Sequence, residues 1–129
     1  LSVVLVTHLI ITKGICMDFQ LSEKNLSDRI ALLTLTGRLT AATAPQLRDA
    51  IKRLVDDRHI ELLFDISGLV FLDSSGLAVI VSGLKTTREL GGWLKLAGIT
   101  PQVSEIFKLT RLDRVFNVYP SVEDALKGQ

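Results

Sequence analysis

The chain has 129 residues, 47% of them hydrophobic and 22% charged, which fits one globular domain with its own core and excludes a disordered tail protein. Fifteen Lys and Arg against 14 Asp and Glu leave a formal net charge of +1, and the basic residues are scattered, so nothing points to nucleic acid. The single cysteine, Cys16, excludes an internal disulfide or a cysteine zinc site and fits a reducing cytoplasm.

Residues 1–16 precede the only methionine, Met17. They contain the apolar run Val3 to Ile11, far short of the ~20 residues a membrane-spanning helix needs. The run also lacks the flanks of a signal peptide. No membrane insertion is expected, and residues 1–16 read as an extension or an extra strand ahead of one domain over 17–129.

From Asp18 to Glu23 the alternation of Phe19 and Leu21 predicts a short strand, and Lys24 to Asp28 supplies turn chemistry. Ile30 to Thr36 predicts a second strand ended by Gly37, so the two form a hairpin. Thr43 then reads as an N-cap, with Pro45 in the first turn and Gln46 at capping-box spacing. Leu47, Ala50, Ile51, Leu54 and Val55 form one apolar stripe of that helix, which the charged run Asp56 to His59 ends.

Ile60 to Ile66 is nearly continuous in apolar residues and predicts a central, covered strand. Ser67 to Leu72 reads as a short loop. A second helix starts at Asp73-Ser74-Ser75 and runs to about Leu90, where Gly91-Gly92 stops it. Trp93 to Ala97 is the next strand, Thr100-Pro101 caps a third helix, Arg114 to Tyr119 is a last strand, and Ser121 caps a short final helix. The order β-β-α-β-α-β-α-β-α predicts an α/β fold: a mixed β-sheet with an N-terminal hairpin and about four helices packed against it.

Catalytic constellations are absent. Neither His8 nor His59 neighbours a candidate nucleophile, no phosphate-binding glycine loop carries a Lys, and no His/Cys spacing suits a metal. No enzyme activity and no cofactor are expected. Asp65 and Asp73 fall near the carboxyl end of the third strand, where open α/β sheets place ligands, and together would hold magnesium as in a phospho-receiver domain. That arrangement also needs an acidic pair after the first strand, and this chain has Thr36-Gly37-Arg38 after its second. The favoured reading is that Asp73 caps the second helix and Asp65 accepts hydrogen bonds from loop amides.

Asp73-Ser74-Ser75-Gly76-Leu77 carries most information. Three good capping residues stand in a row where one suffices, which leaves a hydroxyl free at a helix start. Gly76 leaves room for another chain to approach. The next turns, Leu77 to Val81, are apolar on nearly every face. Val79 and its neighbours therefore either form an exposed patch beside the serines or pack under another element of the same domain.

Leu63-Phe64-Asp65-Ile66-Ser67-Gly68-Leu69 followed by Phe71-Leu72-Asp73-Ser74-Ser75-Gly76-Leu77 resembles the STAS domain of bacterial anti-sigma-factor antagonists. The similarity extends over roughly residues 18–127, through Thr43-Ala44-Pro45, Gly91-Gly92 and the stretch Leu109 to Phe116. The resemblance implies a partner-switching regulator. The unphosphorylated protein binds an anti-sigma factor that is also a serine kinase, and so releases a sigma factor. Phosphorylation of Ser75 switches binding off, and a serine phosphatase restores it. The ATP belongs to the kinase, so the chain itself needs no cofactor.

The implied partner surface comprises Asp73, Ser74, Ser75, Gly76, Leu77, Val79, Arg38 and Thr40. Many family members carry an acidic residue where this chain has Thr40, so its rim is less acidic, which bears on kinase pairing. Two alternatives stand beside this reading: a non-phosphorylated STAS adaptor subunit of a transporter or stress-signalling complex, and a phospho-receiver-like domain.

Overall fold

The period-two alternation at the start of the domain produces the expected hairpin. In the computed structural model, which describes residues 19–127, β1 (Phe19–Asn25) pairs antiparallel with β2 (Ile30–Leu39), in register from Phe19↔Gly37 to Asn25↔Ala31. Ser27 shapes the turn, its Oγ accepting from the Ile30 amide at 3.1 Å. The expectations for residues 1–16, including Cys16, lie outside the described residues.

α1 (Ala44–Asp56) crosses to β3 (Glu61–Leu72), and α2 (Ser74–Glu89) crosses to β4 (Trp93–Ala97). α3 (Pro101–Leu109) and a single 3₁₀ turn (Leu112–Arg114) lead to β5 (Asn117–Tyr119), and α4 (Val122–Lys127) follows. The strands lie in the order β1-β2-β3-β4-β5, with every pair from β2 onward parallel. Helical crossovers between parallel neighbours account for this order.

Two core layers sandwich the sheet. Leu33, Leu35, Phe64, Ile66 and Leu96 face α1, α2 and α3 and form the larger core. On the opposite face Leu63, Ala97 and Ala125 make a smaller cluster under α4, flanked by Leu32, Trp93 and Tyr119. Lys95 points into that second layer and is only 4% exposed. Its Nζ donates to the Ala125 carbonyl at 3.0 Å and stands 4.4 Å from the Trp93 ring centroid. Burial pulls its pKa below the ordinary lysine value, against a smaller opposing pull from Glu61.

Several boundaries differ from those read in the sequence. β2 does not end at Gly37 but continues to Leu39, with Gly37 at φ +98° and register shifts between Thr34 and Thr36 and between Gly37 and Arg38. The glycine makes a bulge, which bends the strand without ending it. Ser67 to Leu72 is not a loop: it extends β3, through Gly37↔Leu69, Arg38↔Phe71 and Leu39↔Leu72. The last strand is shorter than expected, because Leu112–Arg114 closes into the 3₁₀ turn first.

Asp73, Thr100 and Ser121 cap as expected, through the amides of Gly76, Val103 and Asp124. Thr43 does not. Its hydroxyl donates to the Arg38 carbonyl at 2.9 Å and accepts from the Thr40 amide at 2.9 Å, so it closes the β2–α1 loop instead.

Candidate functional site

The extended ends of β2 and β3 bring two loops together at one end of the sheet. The Asp73 amide donates to the Leu39 carbonyl at 3.1 Å, which joins the start of α2 to the end of β2. Asp73 Oδ1 accepts from the Gly76 amide at 3.0 Å, and Oδ2 accepts from the Ala41 amide at 3.1 Å. One carboxylate thus caps α2 and ties it to the β2–α1 loop.

With capping done by Asp73, both serines are left over. Ser74 is exposed and Ser75 half-buried. Neither hydroxyl makes a hydrogen bond among the described residues, nor does either backbone amide. Two free hydroxyls and two free N–H groups therefore crown the N-terminus of a 16-residue helix, where the peptide dipoles favour an incoming negative charge.

Gly76 has a role other than the one expected of it. It is buried, and a Cβ there would stand 2.6 Å from Leu39 Cγ and 2.8 Å from the Leu39 carbonyl oxygen. Its bare Cα lets α2 pack against its own sheet and leaves no room for another chain. Leu77 likewise turns inward and joins the core at 9% exposure. These two residues hold the serines in place from beneath.

The open question about the apolar turns resolves in favour of packing within the domain. Val79 and Val81 are partly buried against the core, and Ile80 is wholly inside. α1 lies alongside α2 on this face, and what stays open between them is a groove. Val79 lines the seam between the two helices.

Arg38 lies at the end of β2 and Thr40 in the loop that follows. The Arg38 guanidinium lies 4.5 Å from the ring centroid of Phe71, its register partner on β3, a cation–π stack. Thr40 Oγ1 accepts from the Ala42 amide at 3.3 Å and so serves its own loop. Two residues the sequence reading passed over join them: Val70, 55% exposed, and Phe71, 38% exposed. The available sign was an apolar Val-Phe pair in a segment taken for a loop, where large apolar side chains have no local reason to stand in water.

Asp65 lies elsewhere. It sits mid-strand, in register with Thr34 and Ala97, and its Oδ1 accepts from the Ser67 amide and hydroxyl at 3.1 and 2.7 Å. At ~3.3 Å per residue the eight steps along the strand carry Asp73 about 26 Å beyond it, so the two carboxylates cannot share a magnesium ion. No cluster of three or more His, Cys, Asp or Glu suited to a metal occurs among the described residues.

Comparisons with known proteins fit this geometry. A family model for the STAS domain matches residues 22–125. The chain is 28% identical to the anti-sigma-B factor antagonist of Listeria monocytogenes, over 87% of this chain and 96% of that protein. It is 30% identical to the anti-sigma-F factor antagonist RsfB of Mycobacterium tuberculosis, over 77% and 80% respectively. A crystal structure of an anti-sigma factor antagonist from Mycobacterium paratuberculosis superposes with a TM-score of 0.77 at 27% identity, covering 88% of this chain and 96% of that one.

Proposed function

The chain belongs to the STAS domain family, and from that premise we propose that it is an anti-sigma-factor antagonist switched by phosphorylation of Ser75. Its rim, from Arg38 and Phe71 to Ser74 and Ser75, binds an anti-sigma factor that is also a serine kinase. The names of the relatives support the first half of this reading. One observation supports the second: Asp73 caps α2, and the Ser75 hydroxyl makes no hydrogen bond among the described residues, so it is free to react.

In the transfer step the Ser75 Oγ attacks the γ-phosphorus of ATP bound by the kinase. The Oγ–phosphorus bond forms, the bond from that phosphorus to the bridging oxygen breaks, ADP leaves, and the hydroxyl proton passes to a base of the kinase. The product carries about −1.5 to −2 charges at a helix N-terminus, where they are locally favourable. The fold therefore tolerates the phosphate, while a close-packed partner must desolvate it beside Asp73. The complex dissociates, and a serine phosphatase restores binding. The sigma factor, the kinase and its ATP place this cycle in the cytoplasm, and no helix among the described residues is long and apolar enough to cross a membrane.

The test is incubation with each purified anti-sigma factor kinase of the source organism and ATP, read by intact mass. One kinase should add a single phosphoryl group, Ser75→Ala should abolish the addition, and Ser74→Ala should leave it. Phosphate on Ser74 would overturn the assignment. A stable complex with no modification would favour the adaptor reading instead.

A further inference from the structure

The rim around Ser75 does not stop at the first turn of α2. Ser75, Val79, Ser82 and Thr86 recur at helical spacing and lie along one stripe of α2. From Val79 onward that stripe forms one wall of a groove of about 520 Å³ between α1 and α2. Ile51, Val55, Val79 and Gly83 give it an apolar floor, and Arg48 and Lys52 stand on the α1 lip.

Both helices run back from the same end of parallel strands, so Arg48 lies toward Ser75 and Asp56 at the far end. Arg48 has no ion pair among the described residues, and Lys52 meets Asp56 only across 3.7 Å with both side chains largely exposed. An exposed pair of that kind holds its charges weakly. The end of the groove nearest the phosphoacceptor is therefore apolar below and cationic above.

We propose that this groove is the second half of the partner surface and takes an amphipathic acidic segment of the anti-sigma factor. Apolar side chains of that segment lie over Ile51, Val55 and Val79, and its carboxylates face Arg48 and Lys52. The inference rests on the antagonist reading and adds the chemistry of the partner.

Continuity and charge both support this occupant. Eleven steps of helical rise carry the chain from Ser75 to Thr86, about 16 Å of α2, which extends the small rim toward the ~800 Å² per partner that stable complexes bury. Charge gives the switch its direction. An acidic segment drawn in by Arg48 and Lys52 is the kind of partner that a dianionic phosphate at the head of the same stripe repels.

The test uses the full chain and the kinase that modifies Ser75, with binding rates measured at low and high salt. The paired Arg48→Glu and Lys52→Glu substitutions fall on exposed positions, and unchanged melting would show the fold intact. They should weaken binding about tenfold or more, mainly through a slower association rate, with the loss shrinking as salt screens it. Ser82→Tyr, which fills the groove, should weaken binding at any salt, while Lys108→Glu with Arg114→Glu on the α3 side should change nothing. Affinity within about twofold of wild type for both groove variants, with Ser75→Asp still abolishing binding, would overturn this inference and leave the antagonist reading standing. A wild-type chain that binds no such kinase would overturn both. A concentration-dependent dimer abolished by Ser82→Tyr would assign the groove to a second copy of this chain and equally overturn the inference.

Discussion

Both carboxylate oxygens of Asp73 are engaged inside the chain, on the Gly76 and Ala41 amides. Asp73 thus positions the rim, and its removal disturbs the rim from below. Asp73→Ala should cost about 1–2 kcal/mol through loss of the cap, measurable by urea denaturation, whereas Ser74→Ala should stay within about 0.5 kcal/mol of wild type. Gly76→Ala tests the neighbouring contact. Its Cβ meets the Leu39 side chain and carbonyl at 2.6 and 2.8 Å, and overpacking of that kind costs about 1–3 kcal/mol. A Gly76→Ala protein as stable as wild type would return the glycine to a partner-facing role. Lys95 makes a different prediction at this scale. Its folded pKa is lowered by burial, so above that value the unfolded chain holds more protons than the folded one, and stability rises with pH. The rise should run from the lowered pKa up to the ordinary lysine value of about 10.4, and Lys95→Met should flatten it in denaturation curves followed up to that pH.

Among the elements, those with strong periodicity were legible from sequence and those bent by bulges were not. The stripe Leu47, Ala50, Ile51, Leu54 faces the core as its spacing requires. The ends of β2 and β3 were misread because Gly37 and Ser67-Gly68 are turn residues by type, and only pairing across the sheet reveals Arg38↔Phe71 and Leu39↔Leu72. That error hid Val70 and Phe71, because their exposure on a strand follows only from the extension of β3. Thr43 fails as a cap for a similar reason: its hydroxyl finds the Arg38 carbonyl, a partner placed by the strand extension. Val70 gives the element its own test. At 55% exposure, Val70→Asp should leave the melting temperature within about 2 °C of wild type yet weaken binding to the anti-sigma factor by about tenfold, because it puts a charge into the apolar part of the proposed rim. The edge strand β1 is pinned to α1 by Glu23, whose carboxylate accepts two bonds from Arg53 at 2.8 and 2.6 Å. That hydrogen-bonded ion pair holds the Glu23 pKa below the usual range.

For the molecule as a whole, the two serines and the core that carries the fold occupy separate layers. The serines sit at the end of the sheet where α2 begins, held by Asp73, Gly76 and Leu77, and the larger core lies beneath them. Charge added to Ser75 meets a favourable helix dipole and the Ser74 and Ser75 amides, which make no backbone hydrogen bond among the described residues. The unfolded chain gains no comparable interaction, so phosphorylation should leave global stability unchanged or slightly raised. The phosphorylated protein is therefore expected to melt within about 2 °C of the unmodified one. Its affinity for the anti-sigma factor should fall by at least about a hundredfold, since a dianion in a dry interface costs several kcal/mol. Calorimetry on the phosphorylated protein, followed by binding measurements on the same sample, separates the two quantities. A melting temperature that dropped in step with affinity would mean that the phosphate works by loosening α2 from Leu39 and Leu72, and partner loss would then follow from a change of structure rather than from charge at an intact surface.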